Sequence, residues 1–250
     1  MTALTVAIAT FVLVSGGAGL GMYLRNALAE DLREDVRDII KLTSGLIGTM
    51  AALVLSLLIA SAKGSYDAKT TQIKQITANI IQIDLDLAQY GPDAQNLRVM
   101  LRRAVPALID QIWNEGDRAT LSAYSPTAEG LELVKGVQQL QPGNDSKRVL
   151  QTQVLNAVAN LVQARLSLFT QSNSAIPTPF LIILILWIAI IFVCFGLLVR
   201  PNRIVLVTFF VGALSAASAI FLILEMGQPF TGLMQISSEA PRHALAPLGN

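Results

Sequence analysis

Four long apolar runs constrain this chain more than any other feature of its sequence. They cover Ala3–Leu24, Leu42–Ala62, Pro179–Val199 and Ile204–Leu224, and none contains a charged residue. Each holds the roughly 20 residues that a helix needs to cross about 30 Å of hydrocarbon. The first run lacks the preceding basic residues of a signal peptide. The runs therefore predict four permanent membrane-spanning helices.

Composition excludes several classes of protein. Only 14% of the 250 residues are charged, against about 25% in soluble domains. The net charge of +1 does not suit a nucleic-acid-binding polycation. A single cysteine and a single histidine cannot build a His/Cys metal site. Phosphate-binding, dinucleotide-binding and metalloprotease motifs are missing. We therefore expect neither a cofactor nor an enzyme.

The apolar runs form two hairpins with a polar segment between them. A charged connector joins the first pair of runs, and the tetrapeptide Arg200–Arg203 allows only a tight turn in the second. The segment between the hairpins holds 11 of the 18 basic residues. The predicted parts are a first hairpin at 1–62, an insert at 63–177, a second hairpin at 178–226 and a tail at 227–250.

The insert has helical periodicity throughout, which makes the predicted fold all-α. Its first seam has apolar residues spaced by three and four. These are Ile73, Ile76, Ile80, Ile83 and Leu87. Further helices are expected after Gly91-Pro92, over Thr127–Gln141 and after Asp145, with Pro106 as a kink or boundary. The last helix is expected to bury Leu155, Val158, Val162, Leu166 and Phe169.

The junction between the second run and the insert decides whether one helix crosses it. Lys63 marks the lipid boundary, since lysine side chains reach out to the interface. Gly64 costs about 1 kcal/mol relative to alanine in a helix interior, which is tolerable. We predict one helix from Leu42 to Tyr90, which continues the second span as a stalk. The alternative is a break at Gly64-Ser65.

Small residues recur at every fourth position of the second run. This stripe consists of Ser44, Gly48, Ala52, Ser56 and Ala60. Small residues allow close approach of helices in lipid, so the stripe predicts either helix packing or the wall of a narrow pore. Gly17-x-x-x-Gly21 in the first run is a candidate partner. The third run has almost no small residues and is expected to face lipid.

Two polar features follow the fourth run. Glu225 is expected to be a solvated helix end, with a carboxylate at a pore mouth near Gln228 as the functional alternative. The tail predicts a short amphipathic helix capped by Ser237 or Ser238, with Leu245 and Leu248 on its apolar face. That helix would either lie at the membrane interface or dock onto the protein.

Three stretches of the chain resemble the bestrophin-like domain family of four-span bacterial membrane proteins. They are DVRDIIKLTSGLIGTMAALVLSLLIASAKGSYD, LDLAQYGPDAQNLRVMLRRAV and LEMGQPFTGLMQISSEAPRHAL. The resemblance implies a more distant similarity to bestrophins, which are pentameric anion channels. Ser65, Tyr66 and Asp67 match the Ser-Tyr-Asp segment that follows a bestrophin span. Gly48, Ala52 and Ser56 replace the bestrophin aromatic neck.

Two functions fit these observations. One is an oligomeric, channel-like pore that passes ions through a homo-oligomer in the bacterial inner membrane. The alternative is a membrane-anchored helical sensor or scaffold without transport activity. In both cases the lipid bilayer is a partner and nucleic acid is not.

The side of the membrane on which the insert lies stays open. The hairpin loops carry six basic residues and the membrane-proximal ends of the other side carry five, so the positive-inside rule favours an extracytoplasmic insert. The six are Arg25, Arg33, Arg37, Lys41, Arg200 and Arg203, and the five are Lys63, Lys69, Lys74, Arg165 and Arg242. The resemblance to bestrophins implies a cytoplasmic insert.

Overall fold

The computed structural model describes residues 2–28, 33–115, 128–172 and 178–245, and within these residues all regular structure is helical. The helices are α1 (Ala3–Ala27), α2 (Glu34–Tyr90), α3 (Gln95–Glu115), α4 (Ala128–Gln139), α5 (Asp145–Ser172), α6 (Thr178–Leu198), α7 (Arg203–Met226) and α8 (Glu239–Leu245). Four of them, α1, α2, α6 and α7, are long and apolar enough to span a membrane. The all-α, four-span prediction is confirmed. The predicted positions of the Phe169 side chain and of Leu248 fall outside the residues that the structure describes.

The chain divides into two compact units. The span unit consists of Met1–Gly64 and Ala175–Gly227, and the insert unit consists of Ser65–Ser174 and Gln228–Asn250. The tail falls in the insert unit, together with the residues between the hairpins. Helix α2 contributes residues to both units.

Helix α2 is unbroken from Glu34 to Tyr90, a length of 57 residues. It begins with Glu34 and Asp35 in its first turn, where acidic side chains interact favourably with the helix dipole. It contains no proline, and Gly64 is accommodated within it. It ends at Gly91, whose φ of 103° suits glycine, followed by a 3₁₀ turn over Pro92–Ala94. The predicted continuous helix is confirmed, and the alternative of a break at Gly64-Ser65 is wrong.

Close backbone contact joins α1 to α6 in the span unit. A Cβ atom on Gly17 would lie 3.0 Å from the Ala189 carbonyl oxygen, and one on Gly21 would lie 3.0 Å from the Cα of Gly196. Helix α1 also packs against α7, where the rings of Phe11 and Phe210 meet edge to face at 5.4 Å. The partner of the Gly17-x-x-x-Gly21 motif is therefore the third span, and the expectation that this motif packs against the small stripe of the second span is wrong.

This packing corrects the expectation that the third span faces lipid. Leu181, Leu184 and Gly196 of α6 are buried. A single glycine on α6 is enough for close approach, because Gly17 and Gly21 supply the remaining space from the α1 side. Ile182 and Leu186 are exposed, so the expectation holds only for the opposite face of α6.

The insert unit is built on the predicted seam of α2, whose five residues are all buried. Helices α3, α4 and α5 complete its core with Leu97, Leu101, Val105, Ile109, Ile112, Leu133, Val137, Val154, Ala157, Ala164 and Leu168. Pro106 lies inside α3 without ending it. The predicted buried face of the last helix is only partly correct, because Leu155 and Val158 are half-buried against the insert core. Val162 and Leu166 are exposed, while Val154, Ala157, Ala164 and Leu168 are buried instead.

The tail docks onto the insert. Trp113 Nε1 donates a hydrogen bond of 2.9 Å to the Ile236 carbonyl oxygen, and its ring meets Phe230 edge to face at 5.9 Å. Arg242 pairs with Asp110, and Leu245 is buried in the insert core. The side-chain oxygen of Ser237 accepts from the backbone N–H of Glu239, so it satisfies one of the free N–H groups at the start of this helix. Of the two alternatives for this helix, the structure has the docked one.

A first prediction concerns the α1–α6 contact. We expect Gly21→Ala to lower the free energy of unfolding by about 1–3 kcal/mol, because the added methyl overpacks against α6. The matched control is Gly19→Ala, since a Cβ there meets nothing within 4 Å. Thermal unfolding in detergent, followed by circular dichroism, measures both. Equal melting temperatures for the two variants would contradict the described packing.

A second prediction concerns the continuity of α2. We expect Thr70→Pro to cost about 3 kcal/mol or more, because proline removes a helix hydrogen bond and clashes with the preceding turn. Thr70→Ala is the control, because it removes only the hydroxyl that donates to the Tyr66 carbonyl oxygen. The readout is helix content and melting temperature. A Thr70→Pro variant as stable as Thr70→Ala would show that the helix is broken at this point.

Candidate functional site

The predicted small stripe of α2 is only partly used for packing within the chain. Ser44 is buried, and a Cβ on Gly48 would lie 3.9 Å from Ile191 of α6. Ala52, Ser56 and Ala60 are exposed. A four-residue spacing advances about 40° per step around a helix, so the stripe turns away from the contact with α6. The buried face continues through Ala51, Leu58 and Ala62 instead.

The exposed surface of the second span has two adjacent sides of different character. The leucine side presents large apolar residues, which are Leu42, Leu46, Leu53 and Leu57. The small side presents Gly45, Thr49, Ala52, Ser56 and Ala60. Leucine side chains are as apolar as lipid tails, whereas small residues allow close approach of another helix. The two sides therefore suit different neighbours.

The segment that matches the bestrophin Ser-Tyr-Asp lies inside α2. Ser65 and Tyr66 are half-buried and Asp67 is exposed. The carbonyl oxygens of Tyr66 and Asp67 accept hydrogen bonds from the hydroxyls of Thr70 and Thr71, both at 2.9 Å. The segment is therefore regular helix rather than a loop.

Glu225 and Gln228 follow the fourth span. Glu225 is only 4% exposed, so the expectation of a solvated helix end is wrong. Burial of a carboxylate is costly unless it is paired or hydrogen-bonded. The Glu225 side chain is therefore part of the packed interior. Gln228 is half-buried, and its carbonyl oxygen accepts from the Thr231 backbone N–H at 3.2 Å.

A buried ion cluster joins α2 to α3 in the insert unit. Asp84 accepts two hydrogen bonds from Arg98, of 3.1 Å from Nε and 2.8 Å from Nη2. Arg102 Nε lies 3.7 Å from the same carboxylate. The hydrogen bond with Asp84 raises the pKa of the Arg98 guanidinium. Because a bidentate pair fixes both partners in orientation, this cluster sets the register between the two helices.

Sequence reasoning missed this cluster, although two signals for it are present. Asp84 lies next to Ile83 of the seam, where a charge needs a partner. Arg98 and Arg102 are four residues apart, and this spacing places them on one face of α3. The identity of the partners still depends on the turn at Gly91-Pro92, which brings α3 back along α2.

An uncharged polar cleft of about 410 Å³ lies between α2 and α5. Its polar lining consists of Gln75, Asn79, Asn160, Gln163 and Ser167, with no charge among the described lining residues. Within the described residues, no group of three or more His, Cys, Asp or Glu side chains is placed to hold a metal ion.

The described architecture is that of a four-span, all-helical membrane protein, with an insert between its hairpins and a docked tail. The model of the Bestrophin-like domain matches residues 11–240. The chain belongs to the bestrophin-like domain family, and its apolar helices place it in a lipid bilayer. No curated protein and no solved structure matches it.

A third prediction concerns the ion cluster. We expect Asp84→Asn to lower the free energy of unfolding by about 2 kcal/mol, because two arginines lose their counter-charge. This value allows for water around the arginine side chains, which are 21% and 23% exposed. The control is Asp145→Asn, whose side chain is almost fully exposed. Chemical unfolding measures both, and equal stability of the two variants would rule out a structural role for Asp84.

Proposed function

We propose that this chain is a subunit of an oligomeric, channel-like pore in the bacterial inner membrane, and that it has no enzymatic activity. The observation that supports this proposal is the two-sided exposed surface of the second span. The leucine side suits an apolar neighbour, either lipid or a second copy of this chain. The small side carries the Thr49 and Ser56 hydroxyls and is the less apolar of the two.

An assembly of several copies accounts for this arrangement better than a single chain does. Within one chain, α1 lies in backbone contact with α6 and packs against α7, which leaves the small side of α2 on the outer surface. In a closed ring of copies, the small sides would face the axis, and the adjacent leucine sides would lie toward the neighbouring copy. Identical chains that associate head to tail close into a ring when the rotation between neighbours permits it.

The chemistry of such a pore follows from its wall. The four apolar runs contain no charge, so selectivity would come from small dipoles and from a narrow apolar constriction. The Thr49 side chain is exposed and its hydroxyl donates to the Leu46 carbonyl oxygen at 2.8 Å, so its own oxygen can still accept a hydrogen bond. We expect weak conduction from a pore of this kind.

One observation favours a second candidate, a membrane-anchored sensor or scaffold without transport. Helix α2 belongs to both units without interruption, and a continuous helix transmits a shift at one end to the other. The number of copies in the assembly separates the two candidates. A closed ring of roughly five or more copies favours the pore, whereas a monomer or dimer favours the sensor.

A fourth prediction tests the pore. We expect Ser56→Leu to abolish the current of purified protein in planar bilayers under a chloride gradient, because leucine closes the narrow wall. The control is Leu57→Ile on the adjacent leucine side, which should leave the current unchanged. Light scattering of each variant must first show an unchanged assembly size.

Two outcomes contradict the pore. One is a parent protein that gives no current over a range of pH and calcium concentrations. The other is a Ser56→Leu variant that conducts like the parent. Loss of the assembly in Ser56→Leu would instead place the small side between subunits.

A further inference from the structure

An apolar cavity lies within the insert unit, among α2, α3, α4 and α5. Its volume is about 250 Å³. This is larger than the roughly 150 Å³ apolar cavity that accepts a benzene ring, and just below the roughly 300 Å³ at which pockets for drug-sized ligands begin. Its size suits a ligand with one short chain.

The rim of the cavity consists of large apolar side chains that nothing in the described chain covers. Leu131 is 46% exposed, Val162 49% and Leu166 38%. Single exposed apolar residues are common on proteins, but a cluster around a concavity is typical of a binding site. Val162 and Leu166 are the same residues whose periodicity predicts burial. An occupant of the cavity would cover both side chains.

Arg165 is the charged side chain among the described residues that line the cavity. It lies on α5 next to Leu166 and is half-buried. One of its terminal nitrogens donates a hydrogen bond to the side-chain oxygen of Gln111 on α3, which fixes the orientation of the guanidinium. A guanidinium stays charged at every physiological pH and matches a carboxylate with two parallel hydrogen bonds.

We propose that this cavity binds a small amphiphile with one apolar chain and one carboxylate, such as a medium-chain fatty acid. The chain would occupy the apolar walls and cover Leu131, Val162 and Leu166. The carboxylate would pair with Arg165. The ligand would be free in the aqueous phase rather than a bilayer phospholipid, because 250 Å³ does not hold two long chains. The proposal does not depend on whether the protein conducts ions.

The test uses the full chain in lipid nanodiscs and radiolabelled octanoate in equilibrium dialysis, with empty nanodiscs subtracted. We expect saturable binding of about one octanoate per chain in the presence of the bilayer lipid. Ala104→Trp, which fills the cavity, should abolish it. Arg165→Gln should weaken octanoate binding by about tenfold, in line with the loss of a charge-assisted hydrogen bond. It should leave the binding of octanol, which has the same chain without the charge, within about twofold.

The matched control is Arg148→Gln, an exposed arginine of the same helix, which should bind octanoate like the parent. Circular dichroism verifies that each variant folds. If Ala104→Trp does not fold, Val158→Phe takes its place as the filling variant.

Three outcomes overturn the proposal. The first is no saturable binding above empty nanodiscs. The second is a folded filling variant that binds octanoate like the parent. The third is an Arg165→Gln variant that loses octanol and octanoate equally, which would make Arg165 a structural residue only.

Discussion

The hydrogen-bond ladder of α2 runs without interruption for 57 residues, and both units build their cores on it. Ala51, Leu58 and Ala62 serve the span unit, and the isoleucine seam serves the insert unit. Along this helix the surroundings of the side chains change from lipid to water, while the backbone hydrogen bonds keep the same pattern. This is possible because an α-helix satisfies its own N–H and C=O groups in lipid and in water alike.

Different forces stabilise the interior of each unit. In the insert unit, apolar side chains leave water, at about 25 cal/mol for each square ångström buried. In the span unit, lipid is as apolar as the side chains, so close packing has to supply the attraction. This explains why glycine marks the α1–α6 contact, whereas isoleucine and leucine mark the insert core. Charged side chains are costly in lipid, which is consistent with an ion cluster in the insert unit.

The sequence predicts those features that depend on one helix at a time. The four spans, the continuity of α2 and the isoleucine seam follow from length, charge and period, and all three are confirmed. Features that depend on how neighbouring helices pack against each other are harder to predict. On α5, two apolar stripes lie side by side, one through Leu155, Val158 and Val162 and the other through Val154 and Ala157. Period alone cannot decide how far the neighbouring helices cover each stripe: Val154 and Ala157 are buried, Leu155 and Val158 are half-buried, and Val162 is exposed.

The same limit applies to the candidate site. The small stripe is visible in the sequence, but its division between packed and exposed residues depends on the direction from which α6 approaches. Glu225 was expected in water because it follows an apolar run, and its burial depends on tertiary packing. The cavity in the insert unit is a property of four helices together, and no local pattern reveals it.

The docked tail has a consequence for how the protein is made. Phe230 and Leu245 complete the core of the insert unit, yet both follow the fourth span in the chain. The ribosome therefore synthesises the whole insert and both spans of the second hairpin before the last pieces of that core exist. Until then the ring of Trp113 and the apolar groups around it lack their cover, and partly folded chains of this kind are prone to aggregate. The core of the insert can be completed only after α7 and the tail have been synthesised, so the last step in its folding comes after translation of the second hairpin.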